Sequence, residues 1–405
     1  MLILKIASRN VFRQKRRTLL TVLTMFGGFT LSAISIGWAD GTYNNIIDMF
    51  TRNRLGHIQI HGNGYLDKPS LYNQVADYKK VATTIESIEG VVAWSPRLYS
   101  VGLASVENKS AGVRIIGLDP TRESMATRFE NQVVSGQTFS RTPSGEAILG
   151  KSLAKTLAAE VENEVVILSQ GADGSIANDV YQVVGLVESG DAVNDQTALY
   201  LHLEEAQELL ALEGKVHEIV VIVQQLDRVA ALTEKITLRL DNHELSVEPW
   251  QVFAKSFYVA MTADKRGNWV MLFIINLIVA VGVLNTVLMT VLERTREYGA
   301  LRAIGTSPQQ VFQLVIFEVF IMAVIGIITG IVAGFLFNYL LSFQGIAIPQ
   351  SITYGGMEFT HLYTEVNAHS FYIPAATVLF SALLVGTFPA VRAARIAPAQ
   401  ALRTH

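Results

Sequence analysis

Cysteine is absent from the 405-residue chain, and charged residues make up only 17% of it. Without cysteine the chain forms no disulfide, uses no catalytic thiol and holds no cysteine-ligated metal. The scarcity of charge accompanies 50% hydrophobic residues, a composition too apolar for an ordinary soluble protein. The net charge of −3 carries little information, and we expect no nucleic-acid partner. The composition therefore indicates a membrane protein.

Four apolar segments account for this composition. They are Thr18–Ala39, Trp269–Leu292, Val311–Phe343 and Phe371–Val391. The second contains no charged residue, and at about 1.5 Å per residue it is about 36 Å long as a helix, enough to cross a hydrocarbon core of about 30 Å. We predict four transmembrane helices, with a large α+β external domain inserted between helices 1 and 2.

The expected organisation follows these segments along the chain. It comprises a basic amphipathic helix at 1–17, a first span at 18–40, an external α+β domain with helical stalks at 41–268, a second span at 269–292, a short cytoplasmic segment at 293–310, a third span at 311–343, a short external loop at 344–370, a fourth span at 371–391 and a cytoplasmic tail at 392–405.

The distribution of lysine and arginine predicts the orientation of these spans. Six of these residues lie in Lys5–Arg17, three in Arg294–Arg302 and three in Arg392–Arg403, whereas Gln344–Ser370 has none. Because short cytoplasmic segments are enriched in such residues, we expect both termini and the second connection to be cytoplasmic. Gly41–Asn268 is then external. Long translocated domains are little constrained by their charge.

The N-terminal residues Met1–Arg17 place Leu2, Ile6 and Phe12 among cations. This spacing predicts an amphipathic helix on the cytoplasmic leaflet, and a simple basic flank to the first span is the alternative. A signal peptide is not expected, because the apolar run that follows is too long for one and lacks a small-residue cleavage site.

The external segment alternates between strand and helix patterns. We expect strands at 56–62, Val91–Val106, Val113–Leu118, Glu146–Leu149, Glu164–Leu168, Tyr181–Val187 and Glu218–Val223, and helices at Val75–Glu86, Leu203–Leu212 and Leu226–Leu240. The first span is expected to continue to about Thr51, and Trp250–Asp264 to lead helically into the second span. These extensions would form two helical stalks.

Residues Gly145–Ser152 (GEAILGKS) match the spacing of a phosphate-binding P-loop. However, the four intervening residues are strand-like, no apolar strand precedes Gly145, and the topology places the segment outside the cell. We therefore interpret the segment as a structural strand, turn and helix, and we expect the chain itself to bind no nucleotide.

Other polar patterns give no catalytic or metal site. His57 and His61 lie in a predicted strand, where residues four apart are separated by about 13 Å. Glu188, Asp191 and Asp195 lack the glycine-centred spacing of a calcium loop and predict a solvated turn.

Glu318 is the only charged residue in the third span, where a carboxylate is costly unless it is paired. We expect an intramembrane ion pair with Arg302 or an N-terminal arginine, and the alternative is a side chain that reaches the headgroup region. In the same helix Gly326, Gly330 and Gly334 share one face, which favours close approach of another helix, from this chain or a second copy.

Three segments resemble the permease subunits of type VII ABC transporters, the MacB / LolC–LolE / FtsX group. They are ERTREYGALRAIGTSPQQVFQLVIFE (Glu293–Glu318), FPAVRAARIAPAQALR (Phe388–Arg403) and SRNVFRQKRRTLLTVLTMFGG near the N-terminus. GHIQIHGNGY, IIGLDPTRE and GEAILGKSLAKTL are similar to the LolC/LolE-type external domain. The resemblance covers the whole chain, and its layout is most similar to a lipoprotein-releasing permease of the inner membrane.

The resemblance implies a non-catalytic membrane subunit that works by mechanotransmission. Two permeases, identical or paralogous, would pair with a cytoplasmic ABC ATPase dimer that binds ATP and magnesium. The cytoplasmic segment 293–310 would be a coupling segment, which docks on that ATPase. The residues assigned to docking are Arg296, Glu297, Leu301, Arg302, Ile304, Gly305, Thr306 and Ser307. The cargo would be lipoproteins or other lipidated molecules, passed to a periplasmic carrier.

Three alternatives remain open from the sequence. An FtsX-like subunit would regulate a periplasmic cell-wall hydrolase and move no cargo. A MacB-like subunit would act in efflux with a periplasmic adaptor. An enzyme is the third class, and no catalytic constellation in the sequence supports it.

Overall fold

The computed structural model describes residues 2–354 and 357–397, with the backbone alone described for Leu2, 348–354 and 357–360. The last part of the closing motif, residues 398–403, lies outside the described residues. The chain divides into two compact units: one contains residues 1–45, 260–350 and 360–405, and the other residues 46–259 and 351–359.

The helical unit contains the long apolar helices. Its elements are α1 (Leu2–Arg13), α2 (Lys15–Phe50), α10 (Lys255–Glu293), α11 (Thr295–Ala303), α12 (Pro308–Gln344) and α13 (His369–Ala394), with the ends of α2 and α10 belonging to the other unit. Among the described residues, four of these helices, α2, α10, α12 and α13, are long and apolar enough to cross a membrane. The helices α2 and α10, which lead to and from the external unit, have 36 and 39 residues, about 54 and 58 Å at about 1.5 Å per residue. Both exceed the hydrocarbon thickness and so extend beyond it.

The core of the helical unit lies among its four long helices, and α2 and α12 contribute several of its side chains. Met25 and Phe29 of α2 and Val315 and Val319 of α12 belong to one cluster of buried apolar side chains. α12 begins at a capping box, in which Ser307 and Gln310 each bond the backbone amide of the other. This cap satisfies two amides that would otherwise lack partners at the start of the helix.

The external unit is built on a ten-stranded mixed sheet. Its strands are β1 (Ile58–Gly62), β2 (Val91–Val106), β3 (Lys109–Leu118), β4 (Val133–Gly136), β5 (Glu146–Gly150), β6 (Glu164–Gln170), β7 (Ile176–Val187), β8 (Ala198–His202), β9 (Glu218–Val223) and β10 (Leu245–Pro249). The order is β10-β1-β9-β2-β3-β8-β5-β7-β4, with β6 paired to β2 and β7. The β3–β8 and β5–β7 pairs are parallel, and the other pairs are antiparallel.

Short helices cover the sheet and join its strands. They are α3 (Tyr78–Glu86), α4 (Pro120–Ala126), α5 (Lys151–Leu157), α6 (Ala192–Thr197), α7 (Leu203–Leu209), α8 (Val229–Leu240) and α9 (Trp250–Phe253). β9 (EIVVIV) is buried at every position, as expected for a central strand covered on both faces. The fold class predicted from the sequence, four apolar helices and an α+β domain after the first, is confirmed.

The first stalk is as expected, since α2 ends at Phe50 and a π-helical turn, Thr51–Leu55, follows it directly. Two other local features differ from the sequence-based expectation. Ala254 separates the short helix α9 from α10, so the second stalk is not one continuous helix. The segment predicted as a short loop at 344–370 contains two strands, β11 (Ile346–Tyr354) and β12 (Met357–Leu362), which form a separate two-stranded sheet.

Candidate functional site

The segment between α10 and α12 folds as a short helix and a tight turn. α11 spans Thr295–Ala303, and Gly305 follows with a φ of +101°, in the left-handed region that favours glycine. Arg302 donates through Nη1 to the carbonyl oxygen of Thr306 at 3.0 Å, which closes the turn before the Ser307 cap. The segment therefore has defined backbone geometry, although it is too short to form a core of its own.

The residues assigned to docking divide between two faces of this segment. Leu301, Arg302 and Thr306 are half-buried, and Leu301 packs on the core of the helical unit. The exposed residues are Arg296, Glu297, Ile304, Gly305 and Ser307. The side chain of Ile304 is 80% exposed, so a large apolar group stands in solvent beside charged neighbours. One face is thus attached to the helical unit, and the other is accessible to a partner.

A buried ion pair attaches the start of α11 to α12. Arg294 donates through Nη1 to both carboxylate oxygens of Glu318 at 3.0 Å, and its Nε donates to Oε2 of Glu297 at 2.7 Å. Arg294 is 7% exposed and Glu318 is 6% exposed. Burial alone would lower the pKa of Arg294, but Tyr298 and Glu318 outweigh it, so this pKa lies above its usual value and the guanidinium stays charged.

The expected partner of Glu318 is therefore corrected. Its ion pair is with Arg294, not with Arg302 or an N-terminal arginine. The N-terminal helix contributes an uncharged group instead, since Nδ2 of Asn10 donates to Oε1 of Glu318 at 2.7 Å. Arg302 is occupied with the carbonyl of Thr306.

Tyr298 and α1 complete this attachment. The Tyr298 side chain is fully buried, and the Arg294 guanidinium lies 5.1 Å from the centre of its ring. α1 packs along α12, with Ala7 and Val11 buried. We name the set of Asn10, Arg294, Tyr298 and Glu318 the coupling anchor. Sequence reasoning missed three of these four residues. An arginine directly after an uncharged span and a carboxylate early in the next span are the signal that could have paired two of them.

The three glycines of α12 face α2 of the same chain. A Cβ on Gly326 would lie 2.9 Å from Cβ of Met25, one on Gly330 would lie 2.6 Å from Cδ1 of Phe29, and one on Gly334 would lie 3.1 Å from Cβ of Ala33. Such distances leave no space for a side chain. The glycine face is therefore the surface on which α2 and α12 approach each other closely.

Residues Gly145–Ser152 have the strand and helix that their sequence pattern predicts. Glu146–Gly150 form strand β5, with Ala147–Gly150 buried, and α5 begins at Lys151. Lys151 is about half exposed and its Nζ lies 2.8 Å from Oε2 of Glu188. The residues that would form the phosphate-binding loop of a P-loop are thus part of the sheet.

The acidic segment near Asp191 is not the solvated turn that the sequence predicts. Asp191 caps α6 and pairs with Arg54 at 2.5 Å. The Asp195 carboxylate is buried and accepts hydrogen bonds from the backbone amide and hydroxyl of Ser189. Within residues 2–354 and 357–397, no group of three or more histidine and acidic side chains has the arrangement of a metal site.

The two histidines of the first strand region lie in separate environments. His57 precedes β1 and accepts a hydrogen bond at Nδ1 from the amide of Val223 at 2.9 Å. His61 lies within β1, and its Nε2 is 3.3 Å from Oε2 of Glu218. The pair therefore does not converge on a common ligand position.

Two family models match the chain. Residues 18–238 match the MacB-like periplasmic core domain, and residues 269–398 match the FtsX-like permease C-terminal domain. Together these matches cover all four spans and the external domain as far as residue 238. The first match alone covers more than half of the 405 residues.

Several characterised proteins are similar along most of this chain. The lipoprotein-releasing system transmembrane protein LolC of Neisseria meningitidis is 23% identical, over 98% of each chain. The macrolide export ATP-binding/permease protein MacB of Campylobacter jejuni is 22% identical, over 98% of this chain and 60% of its own. Among solved structures, the periplasmic region of MacB from Actinobacillus actinomycetemcomitans matches 52% of this chain and 97% of its own, with 15% identity and a TM-score of 0.39.

These matches and the four apolar helices identify a multi-pass inner-membrane protein. Its relatives are ABC permeases, which implies a cytoplasmic ATPase as partner. The chain belongs to the MacB/FtsX family of ABC transporter permeases.

Proposed function

We propose that this chain is a non-catalytic permease subunit that couples ATP hydrolysis on a separate cytoplasmic ATPase to conformational change in its external domain. The exposed face of α11 and the turn after it, with Arg296, Glu297, Ile304, Gly305 and Ser307, docks on the ATPase. Leu301, Arg302 and Thr306 hold this face on the helical unit. Both termini and the coupling segment are cytoplasmic, as the positions of the lysines and arginines support.

The coupling anchor is the observation that carries this proposal. A docked segment transmits force only if it is fixed to the helix that it moves. Arg294 and Glu318 form a two-pronged, charge-assisted contact with little access to solvent, which resists both sliding and rotation. Because Asn10 binds the same carboxylate, α1 moves with α11 and α12.

The cargo in this proposal is a lipoprotein or another lipidated molecule, released from the outer leaflet of the inner membrane. The support is the match to a LolC protein over 98% of both chains, whereas the MacB relative is matched over only 60% of its length. A second permease, as a copy or a paralogue, completes the membrane part. A periplasmic carrier receives the cargo, and ATP and magnesium bind to the ATPase and not to this chain.

The identity of the associated proteins tests the proposed cargo. The permease is purified from native membranes in mild detergent, and the proteins retained with it are identified by mass spectrometry. We expect an ABC ATPase together with lipoproteins or a lipoprotein carrier. The same ATPase with a cell-wall hydrolase indicates the FtsX-like regulator, and with an efflux adaptor the MacB-like alternative. Absence of any ATPase contradicts the proposal.

A double variant tests the assigned docking face. Arg296→Ala with Glu297→Ala removes one basic and one acidic side chain from the exposed face of the coupling segment. We expect this variant to insert into the membrane normally. It should neither support transport nor stimulate ATP hydrolysis by the partner ATPase. Glu234→Ala with Lys235→Ala, which makes the same charge change on the exposed surface of α8, is the matched control. Unchanged coupling in the first variant refutes the docking assignment.

A further inference from the structure

The external unit contains a cavity of about 630 Å³ that no part of the proposed coupling mechanism uses. It lies among β1–β3, β8, β9 and the turn Thr51–Leu55. Apolar side chains form much of its wall, among them Leu66, Ile116 and Phe129. Cavities of roughly 300–1,000 Å³ that combine an apolar wall with a few polar groups are typical of small-molecule sites. The volume and lining therefore suit one small organic molecule.

The carboxylates that line the cavity are already occupied. Glu123 accepts two hydrogen bonds from Arg97, at 2.6 and 3.2 Å, and further bonds from Ser95 and Thr127. Glu218 accepts from Arg97 and from the hydroxyl of Tyr99 and lies 3.3 Å from His61. These side chains are at least nine-tenths buried. Both carboxylates are therefore already paired and do not form a cation site. The three guanidinium nitrogens of Arg97 all donate to these two carboxylates.

Arg114 differs from the other two arginines in the wall. Arg97 is paired with carboxylates, and Arg54 is paired with Asp191 at 2.5 Å. Within residues 2–354 and 357–397, Arg114 has no carboxylate within 4 Å, and its hydrogen bond goes to the neutral amide oxygen of Asn194. Its buried Nε has no hydrogen-bond partner. Arg114 is only partly exposed, so an anion that enters the cavity could supply the counterion that its guanidinium lacks.

Three tyrosine side chains also line this cavity. Tyr99 and Tyr200 line the same cavity, and Tyr65 lies between the rings of His61 and His217, at centroid distances of 5.2 and 5.5 Å. Burial raises the pKa of Tyr65, so its hydroxyl stays protonated and can donate a hydrogen bond. The cavity thus combines the uncompensated charge of Arg114 and the hydroxyl groups of Tyr65 and Tyr200 with apolar side chains in the same wall.

We propose that this cavity binds a small amphiphilic anion, whose carboxylate or phosphate head pairs with Arg114 and whose apolar body packs against Leu66, Ile116 and Phe129. The site is separate from the coupling segment, and its occupancy does not depend on the proposed cargo. Arginine suits this role because its planar donors match a carboxylate or phosphate with two parallel hydrogen bonds.

Binding of short soluble amphiphiles to the full-length permease tests the site. The protein is placed in lipid nanodiscs and titrated calorimetrically with octanoate and octyl phosphate below their micelle-forming concentrations, and the signal of empty nanodiscs is subtracted. Octanamide, of the same length but neutral, is the ligand control. We expect saturable binding of at least one anion, and at least tenfold weaker binding of octanamide, because a charge-assisted bond is lost.

Three variants locate the binding. Arg114→Gln can still donate to Asn194 but carries no charge, and it should weaken binding of the anion at least tenfold. Leu66→Trp, at a partly exposed position of the cavity wall, should block it by filling space. Arg141→Gln removes an exposed charge that does not line the cavity and should bind normally. Equal affinities of Arg114→Gln and Arg141→Gln, no binding above empty nanodiscs, or octanamide binding as tightly as the anions overturns the proposal.

Discussion

Breaking the coupling anchor should cost several kcal/mol, because the broken partner cannot return to water. Glu318→Ala leaves the guanidinium of Arg294, which is only 7% exposed, without its bidentate partner. Removal of one member of a buried pair typically costs about 3–5 kcal/mol. The surviving contact from Nε of Arg294 to Glu297 places the expected loss at the lower end, about 3 kcal/mol.

Further variants separate the ion pair from its surroundings. Glu297→Ala removes a carboxylate that is 55% exposed, and it should cost less than about 1 kcal/mol. Arg294 and Glu318 are also replaced with Met, each alone and both together. The double replacement removes both charges and should cost clearly less than the sum of the two single Met replacements, because no unpaired charge remains.

Reversible unfolding of the full-length permease in mixed micelles measures these free energies. Stimulation of the partner ATPase, measured in parallel, reports coupling. We expect the Met pair to regain much of the stability but not the full coupling, since apolar packing does not fix the orientation of α11. If the single and double replacements are additive, the two residues do not interact energetically, and the coupling anchor is refuted.

Three other perturbations give distinct outcomes. Gly330→Ala places a Cβ 2.6 Å from an atom of Phe29 and should destabilise the protein by about 1–3 kcal/mol. In the control Gly267→Ala, the new Cβ has no heavy atom within 4 Å, so this variant should be neutral or more stable by up to about 1 kcal/mol. Equal thermal stabilities of the two variants would refute the close packing of α2 and α12. Lys151→Ala should leave ATP turnover by the assembled transporter within about twofold, since an exposed pair contributes less than about 1 kcal/mol, and a collapse of hydrolysis would mean that this segment binds nucleotide. Burial, with a smaller contribution from Arg52, lowers the pKa of His57 from 6.5 to about 4. As the pH falls, the unfolded chain therefore protonates this histidine before the folded protein does. The free energy of unfolding should fall by roughly 3 kcal/mol between about pH 6.5 and pH 4. The unfolding free energy of His57→Gln, measured by denaturation at both pH values, should fall less than that of the unchanged protein. An equal fall in the two proteins would contradict the lowered pKa of His57.

The long apolar helices and the central strands were predictable because their patterns are local. Trp269–Leu292 has no charged residue, and β9 is an unbroken run of β-branched residues after Glu218. The helix requires apolar residues because it lies in a membrane, and the strand requires them because protein covers both of its faces, so each leaves a continuous apolar signal in the sequence. The strand β2 was predicted with the bounds that the structure has, Val91–Val106.

Contacts between distant segments were not predictable in this way. Arg294 reaches Glu318 because the chain turns between α10 and α11, and charge type alone did not distinguish it from Arg302. Asn10 is uncharged and lies in a helix whose pattern indicates only a membrane surface. Asp195 appeared solvated from its neighbours, but two donors on Ser189 make its burial favourable.

Cross-linking from Ile304 tests the docking of the coupling segment most directly. The chain contains no cysteine, so Ile304→Cys gives it a single site for a benzophenone maleimide, and the adducts formed in native membranes are recovered through an affinity tag on the permease. Ile176→Cys in the external unit is the matched control, since the two isoleucines are 80% and 83% exposed. The account predicts a covalent adduct with an ABC ATPase from position 304 and none from position 176. No adduct from position 304, or equal adducts from both, would contradict it.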